Sequence, residues 1–133
     1  MERPTWETLA LNTPLDRLIG AINTRLARWA DLVARLQRLN VRAVTAATTL
    51  TEADDVLTVA TAGGAVTVTL PPVSGTRGKV YYIKKTDASA NNLTLDGNGS
   101  ETIDGAATVA WNTQWLCKVV VSTGAAWLIV SSS

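Results

Sequence analysis

Two short constellations in this sequence have residue types that could do chemistry. Asp54 and Asp55 form a carboxylate pair, the raw material of acid–base catalysis. In Asp96-Gly97-Asn98-Gly99-Ser100-Glu101, side-chain oxygens alternate with glycines, as in loops that wrap a calcium ion. Neither constellation carries its chemistry far. Adjacent residues on a strand point to opposite faces, so Asp54 and Asp55 read as solvating a strand entrance. An EF-hand loop needs glycine at its sixth position, where Glu101 stands, and a helix on each side. Gly75-Thr76-Arg77-Gly78-Lys79 has the flavour of a phosphate loop but the wrong spacing, and no helical pattern follows it.

The composition narrows the field further. There is no histidine, which removes the commonest general base and the commonest metal ligand. The single cysteine, Cys117, lies in the apolar run Trp115-Leu116-Cys117-Lys118-Val119 and reads as a small buried hydrophobe. The expectation is a protein that is not an enzyme and has no cofactor and no bound metal. A start of Met-Glu-Arg-Pro-Thr-Trp lacks the apolar core of a signal peptide, and no stretch is apolar enough to span a bilayer. Synthesis in a cytoplasm, without membrane association, is therefore expected.

What would position such residues falls into two halves. From Thr13 to Val44 the pattern is helical. Thr13 serves as N-cap, Pro14 suits the first turn, and Asp16 can play the acidic partner of a capping box. Leu15, Ile19, Ile22, Leu26, Trp29, Val33 and Leu36 follow in alternating steps of four and three, the spacing of a heptad seam. Leu18, Leu32 and Leu39 widen the seam, Arg25 interrupts that flank, and Asn40 ends it. A helix of roughly 30 residues would be about 45 Å long. It gains little unless its apolar face is covered. With no second helix in the chain, copies of itself are the economical cover, and the wide stripe favours three or more strands over two. Folding back on its own β-domain is the alternative. Up to Val44, seven arginines face four acidic residues. Because they alternate with the seam, they read as a solvated helix face, and nucleic acid is not an expected partner.

Beyond Val44 the period becomes two. Residues 56–61 and 66–70 flank Ala62-Gly63-Gly64-Ala65, a hairpin signal. Pro71-Pro72 stops strand growth, and further strands are expected over 79–85, 92–96, 108–111, 114–121 and 126–130. The division predicted is an attachment segment at 1–12, an oligomerisation helix at 13–44, a linker at 45–49 and a β-domain at 50–133. The fold class expected is mainly β with an N-terminal helix: a trimeric helical coiled coil or bundle, then a small antiparallel sandwich or barrel-like domain. Among the five tryptophans, Trp111, Trp115 and Trp127 could make a sugar-stacking platform, but Trp115 shares strand parity with Cys117, Val119 and Val121, so burial is favoured for it. Trp6, with Leu9 and Leu11, has no regular period and reads as an attachment anchor or a staple on the helix.

Several blocks of the β-half resemble a module of bacteriophage virion surface proteins found in fibres, baseplates and capsid decorations. They are Leu70-Pro71-Pro72, then Gly78-Lys79-Val80-Tyr81-Tyr82-Ile83-Lys84-Lys85-Thr86-Asp87, the run Ala88-Ser89-Ala90-Asn91-Asn92-Leu93-Thr94-Leu95-Asp96, Gly99-Ser100-Glu101-Thr102-Ile103-Asp104-Gly105-Ala106, and Gly124-Ala125-Ala126-Trp127. They run in order through nearly all of residues 50–130. One departure is Ser122-Thr123-Gly124, where Ser-Asp-Gly is expected. What the resemblance implies is a homotrimeric, non-enzymatic virion component, a capsid decoration or head-fibre protein whose partners are its own copies and the phage major capsid protein or another virion component. A tail-fibre or baseplate module that binds a host surface glycan is the alternative it implies.

Overall fold

The computed structural model describes residues 14–36 and 38–133. The chain divides into two units, a helical one and a β-unit formed by Leu39–Ser133. The helical unit contains α1, Pro14–Leu36, with Asp16 in its first turn and Arg35 in its last, both complementing the helix dipole. An exposed Asp31–Arg35 pair at 3.0 Å adds a few tenths of a kcal/mol, as such i,i+4 pairs do. At about 1.5 Å per residue the helix is roughly 35 Å long, shorter than expected, because it stops at Leu36 and not near Val44. Past that point the chain is recruited by the β-unit. The Asn40 amide donates to Asp55 Oδ2 at 2.7 Å and the Asn40 side chain donates to the Ala53 carbonyl at 2.7 Å. Val41–Val44 then pairs as a strand. The predicted N-cap, Thr13, lies outside the described residues.

The β-unit has nine strands: β1 Val41–Val44, β2 Thr48–Thr49, β3 Val56–Val59, β4 Val66–Thr69, β5 Val80–Lys85, β6 Leu93–Asp96, β7 Thr108–Trp111, β8 Cys117–Ser122 and β9 Trp127–Ser132. The predicted linker at 45–49 therefore contains a strand. One sheet has the order β1-β3-β5-β8-β9 and the other β2-β4-β6-β7. Successive strands alternate between the sheets through β6, so each pair (β1 and β2, β3 and β4, β5 and β6) forms one coil. Equivalent strands of neighbouring coils pair in parallel, Val56 opposite both Val41 and Tyr82, and Val68 opposite both Thr48 and Leu95. The antiparallel pairs are β5–β8, β6–β7 and β8–β9.

The sheets are thus mixed, which corrects the antiparallel expectation. The expected hairpin around Ala62-Gly63-Gly64-Ala65 does not form either; β3 and β4 lie in different sheets and face each other across the core. Leu57 and Val59 point inward from one sheet, Val66 and Val68 from the other, and each is buried. A hairpin would have set them side by side. The β8–β9 pair across residues 123–126 does form, with an irregularity at Val119/Val120.

One apolar core lies between the sheets, drawing Leu57, Val59, Tyr81, Ile83, Val120 and Trp127 from the first and Val66, Val68, Leu93, Leu95 and Trp111 from the second. Tyr81 and Ile83 face inward while Tyr82 is exposed, as the alternation predicted. Tyr81 packs on Trp127 with ring centroids 5.6 Å apart and sends its hydroxyl to the Thr51 carbonyl at 2.8 Å. Burial first, and then the charge of Asp54, push that hydroxyl up to about 12, so it stays a donor.

Polar ladders hold the coil turns in register. Lys85 is fully buried, and its Nζ donates to the carbonyls of Asp87 at 2.6 Å and Ser89 at 3.0 Å beside the Asp87 carboxylate at 3.2 Å. Asp87 accepts in turn from the Thr61 amide of the preceding coil at 2.6 Å. Hydrogen bonding from the Ser89 side chain, then from the Thr61 amide, holds the Asp87 carboxyl far below its ordinary value. At the other end of the stack Arg42 forks onto Asp54, Nε to Oδ1 and Nη2 to Oδ2, both at 2.8 Å, and reaches Thr48 Oγ1 at 2.9 Å. Asp54 is buried, not a solvated strand entrance. Burial would raise its pKa, but the Arg42 and Thr51 hydrogen bonds outweigh this and lower it. Asp55 is lowered by the Asn40 amide and then by Lys79, 2.8 Å away.

Two outcomes follow. Three carboxyls titrate below their unfolded value of about 3.9, so their stabilisation is complete above that value and fades as pH falls through it. The melting temperature of the β-unit should be flat from about pH 7 to 5 and fall steeply below about pH 4; Asp54→Asn should blunt that fall. Lys85→Ala strips the Asp87 and Ser89 carbonyls of their donor in a buried site, at about 1–3 kcal/mol for each orphaned acceptor. Urea midpoints should record a loss of about 2 kcal/mol or more.

Candidate functional site

The seam residues are brought onto one face of α1, and that face is open. Leu15, Ile19, Ile22, Leu26, Trp29, Val33 and Leu36 are each between 47% and 76% exposed, and no residue of the helix is buried. Leu18 and Leu32 join them as exposed flanking apolar residues. An alternating three–four step keeps these side chains within one stripe because 3.6 residues make a turn. Gly20 weakens the helix interior, and next to it Thr24 Oγ1 donates back to the Gly20 carbonyl at 2.9 Å.

Burying the exposed half of each seam side chain is worth on the order of 1 kcal/mol. Seven such residues supply several kcal/mol per copy, enough to drive association against its entropic cost only if the seam is covered along most of its length. A shallow hollow on the stripe is lined by Arg25, Arg28, Trp29 and Leu32. There the Trp29 indole, 64% exposed, is bordered by two guanidinium-bearing side chains, an arrangement well suited to a buried aromatic anchor with a charged rim. Arg25 interrupts the stripe in sequence but borders the hollow in space, which the linear pattern does not reveal.

The remaining candidates separate. The proposed attachment residues Trp6, Leu9 and Leu11 lie outside the described residues. Trp111 and Trp127 are buried, so no three-tryptophan platform exists. Trp115, expected to be buried with its strand, is instead 58% exposed and has a positive φ of 66°, which breaks the parity with Cys117. Cys117 is half-buried, and burial pushes its thiol up, keeping it protonated and unreactive. Glu101 spends both carboxylate oxygens on the Val73 amide, each at 3.1 Å. Among the described residues no three acidic or cysteine side chains gather closely enough to hold a metal ion, and no helix is long and apolar enough to cross a membrane.

The outer faces of the two sheets differ in a way the sequence reading did not separate. On the five-stranded sheet Val41, Tyr82, Leu128 and Val130 stand exposed. On the four-stranded sheet the matching register row is Thr49, Thr69, Asp96 and Thr108. One outer face is apolar and the other threonine-rich.

Because the buried core of the β-unit begins at Leu50 and the first residue packed against it is Val44, past the end of the helix, the seam should be dispensable for its stability. Ile22→Asp combined with Val33→Asp should leave the thermal melting of the β-unit, followed by near-ultraviolet circular dichroism, within about 0.5 kcal/mol of the parent.

No protein-family model matches the chain, and no curated protein is significantly similar to it. What the open face can do follows from its chemistry.

Proposed function

We propose that this chain is a non-enzymatic structural protein of a bacteriophage particle, a homotrimer displayed on the virion surface as a capsid decoration or head-fibre protein. The observation that carries the self-association is the heptad stripe of α1, whose every member is open to solvent in the single chain. A helix of this length is marginal alone in water, and a stripe widened by Leu18 and Leu32 suits three helices better than two. The trimer would take the form of a coiled coil or short bundle. The β-unit supports the display role: two sheets around one core, as in a sandwich, with coil turns locked by side-chain ladders. Its likeness to phage surface modules lies in the sequence blocks from Leu70 to Trp127.

Function here means binding. Symmetric association would bury the seam, and three linked copies of residues 1–12, with Trp6, Leu9 and Leu11, would multiply weak contacts with a major capsid protein through effective concentration. The protein would be made in the host cytoplasm and end on the virion. A second reading, a tail-fibre or baseplate module for a host glycan, is favoured by one observation, the exposed Trp115.

Sedimentation of the purified chain at micromolar concentration tests the first reading. A trimer is expected for the parent and a monomer for the Ile22→Asp, Val33→Asp variant; a monomeric parent overturns it. Removing residues 1–12 should abolish binding to phage particles and leave the trimer intact, whereas undiminished binding would move the anchor elsewhere.

A further inference from the structure

Trp115 sits in the crossing from β7 to β8, and its backbone is in the left-handed region at φ 66°. That conformation is an outlier for a bulky side chain. Elsewhere among the described residues the chain meets the same need with glycine, at Gly64, Gly75, Gly78, Gly99, Gly105 and Gly124. The other exception, Asp104, is of a type that tolerates the region, and its carboxylate accepts from the Ile129 amide at 3.0 Å. A glycine at 115 would close this turn without strain, so nothing in the turn's geometry calls for an indole.

The turn is built firmly enough to hold it. The Trp115 amide donates to the Lys85 carbonyl at 2.9 Å, and the Lys85 amide donates back to Leu116 at 3.1 Å. On either side, Gln114 Nε2 donates to the Thr86 carbonyl at 3.2 Å and Asn112 Nδ2 to the Ala90 carbonyl at 3.4 Å. Both amide groups are thereby fixed through their nitrogens. Their carbonyl oxygens accept no hydrogen bond from the described residues and remain available as acceptors. Asn112, Thr113 and Gln114 are exposed along with the indole.

We infer that Trp115 is the stacking platform of a carbohydrate contact site, with Asn112 and Gln114 as its polar rim. A pyranose ring presents an apolar C–H face that an indole covers and a circumference of hydroxyls that donate to amide oxygens. The three residues preceding Trp115 are uncharged, which suits a neutral sugar better than a phosphate. A protein partner would call for a contiguous apolar surround, and those same residues are polar. The site rests on the second reading, a glycan-binding module, whose contact residues it names; it belongs to the β-unit, so its failure would leave the self-association reading untouched.

The test uses the full chain labelled with nitrogen-15, in which each of the five tryptophans gives one indole resonance. Cellotetraose, chitotetraose, maltotetraose and a galactan tetrasaccharide are titrated in turn to about 10 mM, well above a millimolar Kd. The expected result is a saturable shift of the Trp115 indole and of the Asn112 and Gln114 side-chain amide resonances with at least one of them. In Trp115→Gly, which removes the indole and relieves the backbone, the response of those two side-chain amides should weaken at least about tenfold while the melting temperature stays the same or rises. Three results would overturn the site: no shift of Trp115 with any of the four sugars, a response that survives in Trp115→Gly, or a lower melting temperature for that variant, which would make the indole a packing element. A change in the sedimentation of Trp115→Gly would also overturn it, by placing the indole between copies.

Discussion

The ammonium of Lys85 has no access to solvent, and a buried charge persists only if protein groups replace its lost water. It is met by two turn carbonyls and by Asp87, whose carboxylate also receives the Thr61 amide from the coil before. The β3–β4 and β5–β6 turns are thereby fastened to one another. Parallel pairing requires this kind of fastening. Each coil must leave its sheet, cross the core and return, and every crossing releases backbone groups that no ladder satisfies. The Asn91 side chain answers the Thr61 carbonyl at 2.7 Å, and the Thr86 amide answers the Val59 carbonyl at 2.9 Å. Register between coils is therefore set by polar contacts at the turns as much as by apolar packing inside.

The end of the stack at β1 and β2 raises the opposite problem, an open edge that could recruit another sheet. Arg42 points inward from edge strand β1 and is neutralised by Asp54, so a charge stands where an apolar residue would invite continuation. At the far edge of the same sheet, the irregularity beside Val130 interrupts regular pairing of β9. Both devices discourage edge-to-edge growth. If copies associate, they are steered to do so through faces, and the helix stripe is the longest apolar face available.

How much of this was visible in the sequence depends on what kind of signal each element carries. The helix announced itself through alternating steps of three and four from Leu15 to Leu36, and its stripe is where that spacing placed it. Its end was misjudged because Leu39, Val41 and Val44 prolong an apolar rhythm that only the Asn40 contacts with Ala53 and Asp55 cut short. Strand positions were legible from alternation, as at Tyr81, Tyr82 and Ile83. Strand direction was not. A period of two states which side chains point inward, and it is identical for a neighbour in the same sheet and a partner across the core. Gly63-Gly64 between two valine-rich strands thus looked like a hairpin and is a crossing. The burial of Asp54 is hidden for a related reason: its partner, Arg42, lies in a segment whose apolar rhythm is helical. Trp115 escaped because parity arguments assume extended backbone up to the strand's start, and its positive φ turns the side chain out of that pattern.

The two units differ in how far each satisfies itself. In the β-unit, Arg42 pairs with Asp54, Lys79 with Asp55 and Lys85 with Asp87, and most apolar residues have a core; among buried side chains the polar exceptions are the indole N–H groups of Trp111 and Trp127, which find no acceptor. Such a loss of about 1–3 kcal/mol apiece is tolerable because each ring's burial is worth as much or more. The helix has no such balance, since hydrogen bonding within one helix does little beyond offsetting the entropy of ordering it. A stripe of leucine, isoleucine, valine and tryptophan adds nothing to its stability until something covers it. Polar side chains at those positions would carry no such apolar exposure, so the open stripe is the part of the described residues whose burial has most still to add.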